Sequence, residues 1–178
     1  MKRILSAAAI VGLFVLSNSC VDLTVEEPTL CATVNLGSES IPFGIATGTP
    51  IPPVSFTQEF DFSQDLSKIS DVTDQISIDS DQITINNSSD LNWISHLDIS
   101  IAKQDHSQEK TFAHYVSIGN SSSKSIEIPI IMPASELINY VTSPFELTFT
   151  VQGTVPKVES NLNNTFCIGV SGQVNKSL

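Results

Sequence analysis

The sequence predicts an all-β fold: an antiparallel sandwich of two sheets, with about eight strands and one or two short helical turns. Three observations carry this expectation. Apolar residues recur with period two in eight short runs, the mark of strands buried on one face. Clusters of Gly, Pro, Asn and Ser separate the runs. Stretches with helical spacing are few and brief.

Taken in order, the first run is Ala32, Val34 and Leu36. Residues 44–53 (GIATGTPIPP) follow and read as an exposed loop. Its apolar members, Ile45, Ile51 and Pro52, either mark a contact surface or fold over an open end of the sandwich. Phe56, Phe60 and Phe62 form the second run, with Gln58 as the exception. Residues 63–69 suit one or two helical turns with Ser63 as N-cap. Ile83 and Ile85 repeat the alternation, and residues 86–89 (NNSS) make a turn. Residues 90–94 read as a single turn that tucks Trp93 against the sandwich edge.

Leu97, Ile99 and Ile101 form the next run. A polar segment, residues 104–110, then reads as a hairpin tip carrying His106. Phe112, His114, Val116 and Ile118 follow, which puts His114 on an apolar face. Residues 120–123 (NSSS) make another turn before Ile126, Ile128 and Ile130. Residues 135–141 suit a short helix before Pro144. Phe145, Leu147, Phe149 and Val151 are the cleanest strand, and Phe166, Ile168 and Val170 close the set. β-Branched and aromatic residues are enriched throughout these runs.

In general architecture this pattern resembles an immunoglobulin-like sandwich. A partly closed barrel is the alternative. A membrane-spanning barrel needs strands of about ten residues with aromatic girdles; these runs are shorter, and the chain has one Trp and two Tyr.

Strand parity also bears on the cysteines. With Val34 and Leu36 facing the core, Cys31 faces outward; with Phe166, Ile168 and Val170 facing the core, so does Cys167. Two cysteines on one face of adjacent antiparallel strands lie within disulfide reach. The first and last of the eight runs are therefore expected to be neighbours, joined by a Cys31–Cys167 disulfide.

The amino terminus has the form of an export signal. Lys2 and Arg3 make its basic start, and residues 4–16 are apolar but too few to span a bilayer stably. Small and polar residues, Ser17, Asn18 and Ser19, lead to Cys20. This ending resembles the lipobox of bacterial lipoproteins, with Leu16 four places before the cysteine. The resemblance implies removal of residues 1–19 and lipidation of Cys20 by diacylglycerol and an N-acyl chain such as palmitate. Val21 in place of Asp after the cysteine implies the outer membrane. Ser17 and Ser19 also suit a general signal peptidase, which would release a secreted protein. The cysteine count favours the lipid reading. The chain has three cysteines, and if Cys31 and Cys167 pair, Cys20 is the one left over. The expected organisation is a signal peptide at 1–19, an acylated terminus and spacer at 20–30, and one domain at 31–178.

Charge narrows the partners. Lys2 and Arg3 are two of eight basic residues, and nineteen residues are acidic. The mature chain would carry a net charge of −13 and no arginine. Nucleic-acid binding, which depends on basic phosphate contacts, is disfavoured. So is electrostatic attraction to anionic lipid. The expected partners are the membrane, through the anchor, and an envelope or extracellular protein.

Motifs for catalysis or cofactors are missing: the sequence has no phosphate loop, HExxH, CxxC or GxSxG. No catalytic residue, cofactor or metal ligand is therefore assigned. Two rivals to a non-catalytic binding or structural role stay open. One is an exported hydrolase using His96 or His114, with His96 and Asp98 two apart on one strand. The other is a calcium-stabilised adhesion module using Asp71, Asp74, Asp79, Asp81 and Asp90, which lack the spacing and glycine of a known calcium loop.

Overall fold

In the computed structural model, residues 29–67, 69–70, 76–78, 83–87, 89–117, 123–170 and 173–174 are described. Each of the eight runs expected from the sequence contributes a strand, although Phe62, Ile83, Ile128 and Ile130 fall beyond the strand ends and Ile118 lies outside the described residues: β1 (Thr29–Gly37), β2 (Pro50–Phe60), β5 (Thr84–Asn86), β6 (Ile94–Lys103), β7 (Lys110–Val116), β8 (Ser125–Glu127), β9 (Phe145–Thr154) and β10 (Leu162–Val170). Three further strands have only two or three residues: β3 (Ile69–Ser70), β4 (Ile76–Ile78) and β11 (Gln173–Val174). The helices are α1 (Ser63–Leu66) and α2 (Ala134–Val141).

Two open antiparallel sheets make the sandwich. One has the order β1-β10-β5-β8, with β4 also on β10; the other has the order β2-β9-β6-β7. A small third ladder pairs β11 with β3. The sheets meet in one apolar cluster drawn from both. Phe166 of β10 stands at its centre, with ring centroids 5.5 to 6.3 Å from Phe112, Phe60, Phe62 and Phe145. Edge-to-face packing of this kind adds to the burial of each ring. The segment after β8 crosses between sheets: Ile128 N–H donates to Ile83 O, and Ile130 bridges Ala113 of β7.

Four local expectations need correction. β1 begins at Thr29, inside the expected spacer, because Thr29 and Leu30 pair with Gly169 and Ile168. Phe62, not Ser63, is the N-cap of α1; Asp61 accepts the Ser63 N–H instead. The expected loop over 44–53 ends at Thr49, since Pro50 to Pro53 already lie in β2. Prolines are tolerated there because β2 is an edge strand and its register shifts between Ile51 and Val54. Ile51 is buried and Ile45 is fully exposed, so the two apolar positions of this segment part ways.

The fourth correction concerns β7. Ile99 pairs with Ala113 and Ser100 with Thr111, leaving Phe112 as the extra residue of a β-bulge. Phe112 and Ala113 are therefore both buried. The parity flips beyond them, so His114 leaves the apolar face and Val116 is exposed.

Candidate functional site

β1 and β10 are neighbours in register, with Cys31 opposite Cys167 at a Cα separation of 4.1 Å, and the two are joined by a disulfide. This places the bond near the entry of the chain into the sheet, two residues after Thr29. Cys167 lies on the outward side of its strand and is nevertheless buried. Cys20 and the rest of the leader lie outside the described residues, as do Asp71, Asp74, Asp79 and Asp81.

His96 and His114 come to the solvent side of the β2-β9-β6-β7 sheet. Cross-strand pairing builds a row there from Ser55, Thr150, Asp98 and His114. The hydroxyls of Ser55 and Thr150 bond at 3.0 Å, and those of Thr57 and Thr148 one row on at 3.1 Å. Asp98 reaches across to the Nδ1 of His114 rather than along its own strand to His96. His96 Nδ1 instead meets the Ser95 hydroxyl at 3.1 Å. Both members of the Asp98–His114 pair are substantially open to water. Such a pair contributes little stability. It also lacks the enclosure that raises the strength of catalytic electrostatics. Among the described residues, no three His, Cys, Asp or Glu side chains group closely enough to hold a metal. Asp90, from the expected calcium set, spends its carboxylate on the backbone N–H and side-chain amide of Asn92.

At the β6–β7 hairpin tip, His106 adopts a φ of 60° and its Nδ1 lies 2.8 Å from Glu146 Oε2. The neighbouring Asp105 accepts from the Ser107 hydroxyl and backbone N–H, which holds its carboxyl below the ordinary 3.8. Asp61 is lowered in the same way by Ser63.

The opposite end of the sandwich differs in character. Three segments gather there: residues 38–49, 89–93 and 155–161. Gly44 N–H donates to Pro156 O, Gly48 N–H to Val155 O and Val155 N–H to Thr49 O. Gly44 and Gly48 take φ values of 105° and 83°, which favour glycine. Asn161 N–H donates to Asn87 Oδ1, and the Ser38 hydroxyl to Glu159. On these fixed loops Phe43, Ile45 and Val158 are exposed at 55, 108 and 52 %. The parity of the strands exposed the disulfide in advance, but nothing in the sequence brought these three residues together. Phe43 and Ile45 share one loop, and Val158 lies on another more than a hundred positions away.

Comparison with family models, with curated proteins and with solved structures found no match for this chain.

Proposed function

We propose that the chain is a bacterial lipoprotein: a single disulfide-closed β-sandwich held to the cell envelope by lipid on Cys20, with a non-catalytic binding or structural role. The cysteine inventory is the observation that carries the reading. Of three cysteines, Cys31 and Cys167 are bonded to each other, which leaves Cys20, at the end of an export-signal pattern, as the odd one in the count. A diacyl or triacyl terminus also satisfies the need for more than one chain in a stable anchor.

The outer membrane is the favoured location, on Val21 after the cysteine. The segment from Cys20 to Thr29 reaches about 30 Å when extended. That is enough to hold an acidic domain clear of the headgroups. A binding role rather than hydrolysis is favoured by the open setting of Asp98 and His114 and by the apolar loops at one end. Replacing Cys20 by Ser tests the anchor: the variant should leave the membrane fraction for the soluble exported fraction. Retention of Cys20→Ser in the membrane would refute the lipid reading.

A further inference from the structure

The two ends of the Cys31–Cys167 bond differ in access. Cys31 is exposed and lies on β1, the outer strand of its sheet among the described residues. Cys167 is 3 % exposed. It lies on β10, with β1 on one side and β4 and β5 on the other.

Thiol–disulfide exchange depends on which sulfur can be reached. The incoming thiolate approaches in line with the bond it breaks, from the side opposite the leaving sulfur. For Cys31 that side is the outer margin of β1. For Cys167 it is the side of β4 and β5, where Ile168 pairs with Ile78 and Thr165 with Thr84. The sheet order therefore opens one direction of attack and obstructs the other.

The surroundings of Cys31 favour the same direction. Along the ladder its neighbours on the outward face are small: Thr29 opposite Gly169 on one side, Thr33 opposite Thr165 on the other. The Thr33 and Thr165 hydroxyls bond each other at 3.1 Å. Neither β1 nor β10 carries a charged residue, so no carboxylate of these strands repels an anionic nucleophile.

We propose that Cys31 is a site of S-thiolation, at which a small external thiol of the glutathione class displaces Cys167. The thiolate sulfur bonds to Cys31 Sγ as the Cys31–Cys167 bond breaks. The electron pair leaves on Cys167 Sγ, which takes a proton from water. The incoming thiol is oxidised to the mixed disulfide and Cys167 is reduced to a thiol, so no further oxidant or reductant enters. Cys167 stays opposite Cys31 in the ladder and acts as the resolving thiol. Its attack on Cys31 Sγ expels the small thiol and restores the bond. The proposal rests neither on the lipid anchor nor on a binding role.

The test uses the chain from Cys20 to Leu178 with Cys20→Ser, folded and oxidised, which leaves one disulfide and no other cysteine. Sulfite is the first probe. It places a sulfonate group on the sulfur it attacks and leaves the other as a thiol, which iodoacetamide caps. Peptide mass mapping should find the sulfonate on Cys31 at least about tenfold more often than on Cys167. Equal labelling, a preference for Cys167, or no labelling of the folded protein overturns the proposal. An equal bias in protein unfolded by urea also overturns it, because the preference would then come from local sequence and not from the sheet. The second probe is oxidised glutathione, given to Cys167→Ala and to Cys31→Ala, each also carrying Cys20→Ser and checked for folding by circular dichroism. Cys31 in the first should take up glutathione at least about tenfold faster than Cys167 in the second. Similar rates overturn the proposal, and if either variant fails to fold the sulfite result decides.

Discussion

Opening the Cys31–Cys167 bridge should cost about 5 kcal/mol of stability. The two residues are 136 positions apart, so the bond closes nearly the whole described domain into one loop. In the chain-entropy model a cross-link removes about 2.1 + 1.5R ln n cal/mol/K from the unfolded chain. With n set by that separation, the loss is about 17 cal/mol/K, or about 5 kcal/mol at 25 °C. The native side of the balance changes little, because Cys31 and Cys167 already face each other in the β1–β10 ladder. A domain of this size has a total stability of about 5–15 kcal/mol. Reduction should therefore bring the protein close to its unfolding threshold. The assay is urea unfolding of oxidised and reduced protein, followed by Trp93 fluorescence and far-ultraviolet circular dichroism. The Cys31→Ala/Cys167→Ala double variant provides the irreversible counterpart. The slope m should rise on reduction, because a chain without the cross-link exposes more surface when unfolded. A loss below about 1 kcal/mol with an unchanged slope would refute the argument that the bond acts by constraining the unfolded chain.

Other perturbations test other parts of the structure. Phe166→Ala removes the ring at the centre of the sandwich and should cost about 3–5 kcal/mol by urea unfolding. Gly153→Ala places a Cβ 2.0 Å from the Trp93 carbonyl oxygen, so the backbone must shift; a loss of about 1–3 kcal/mol and altered Trp93 fluorescence are expected. Asn164 is fully buried in β10, neither side-chain polar atom has a hydrogen-bond partner among the described residues, and its register partners are Val34 and Ile85. Asn164→Leu should raise the unfolding midpoint, since it removes an uncompensated polar burial. Asp105 and Asp61 have folded values below 3.8, so their contribution is present above that value and is lost as pH falls through the folded values. Carbon-detected titration of Asp105 should show a midpoint below 3.8, rising towards it in Ser107→Ala.

Much of the fold was legible because a half-buried strand writes its burial into alternate residues. Phe145 to Val151 and Leu97 to Ile101 show this plainly: their alternate apolar side chains are all buried. Parity then made the pairing of Cys31 with Cys167 readable as well. Three kinds of feature escaped. β3, β4 and β11 are too short to show any period. The bulge at Phe112 inserts one residue without changing the composition of its strand, so His114 read as inward when it faces water beside Asp98. The prolines at 50, 52 and 53 read as loop, although an edge strand can carry them where no ladder bond is required. The small cleft lined by Asn92, Trp93, Pro156 and Val158 was the least legible of all. It depends on residues 89–93 and 155–161 meeting at one end of the sandwich, and no local pattern encodes that meeting.

The most direct test of the lipoprotein reading is the intact mass of the protein purified from membranes of its own host, before and after reduction. The account predicts a chain that begins at Cys20 and carries the added mass of acyl chains, with a gain of one proton per sulfur when the Cys31–Cys167 bond is reduced. An unacylated chain recovered from the soluble fraction would contradict it.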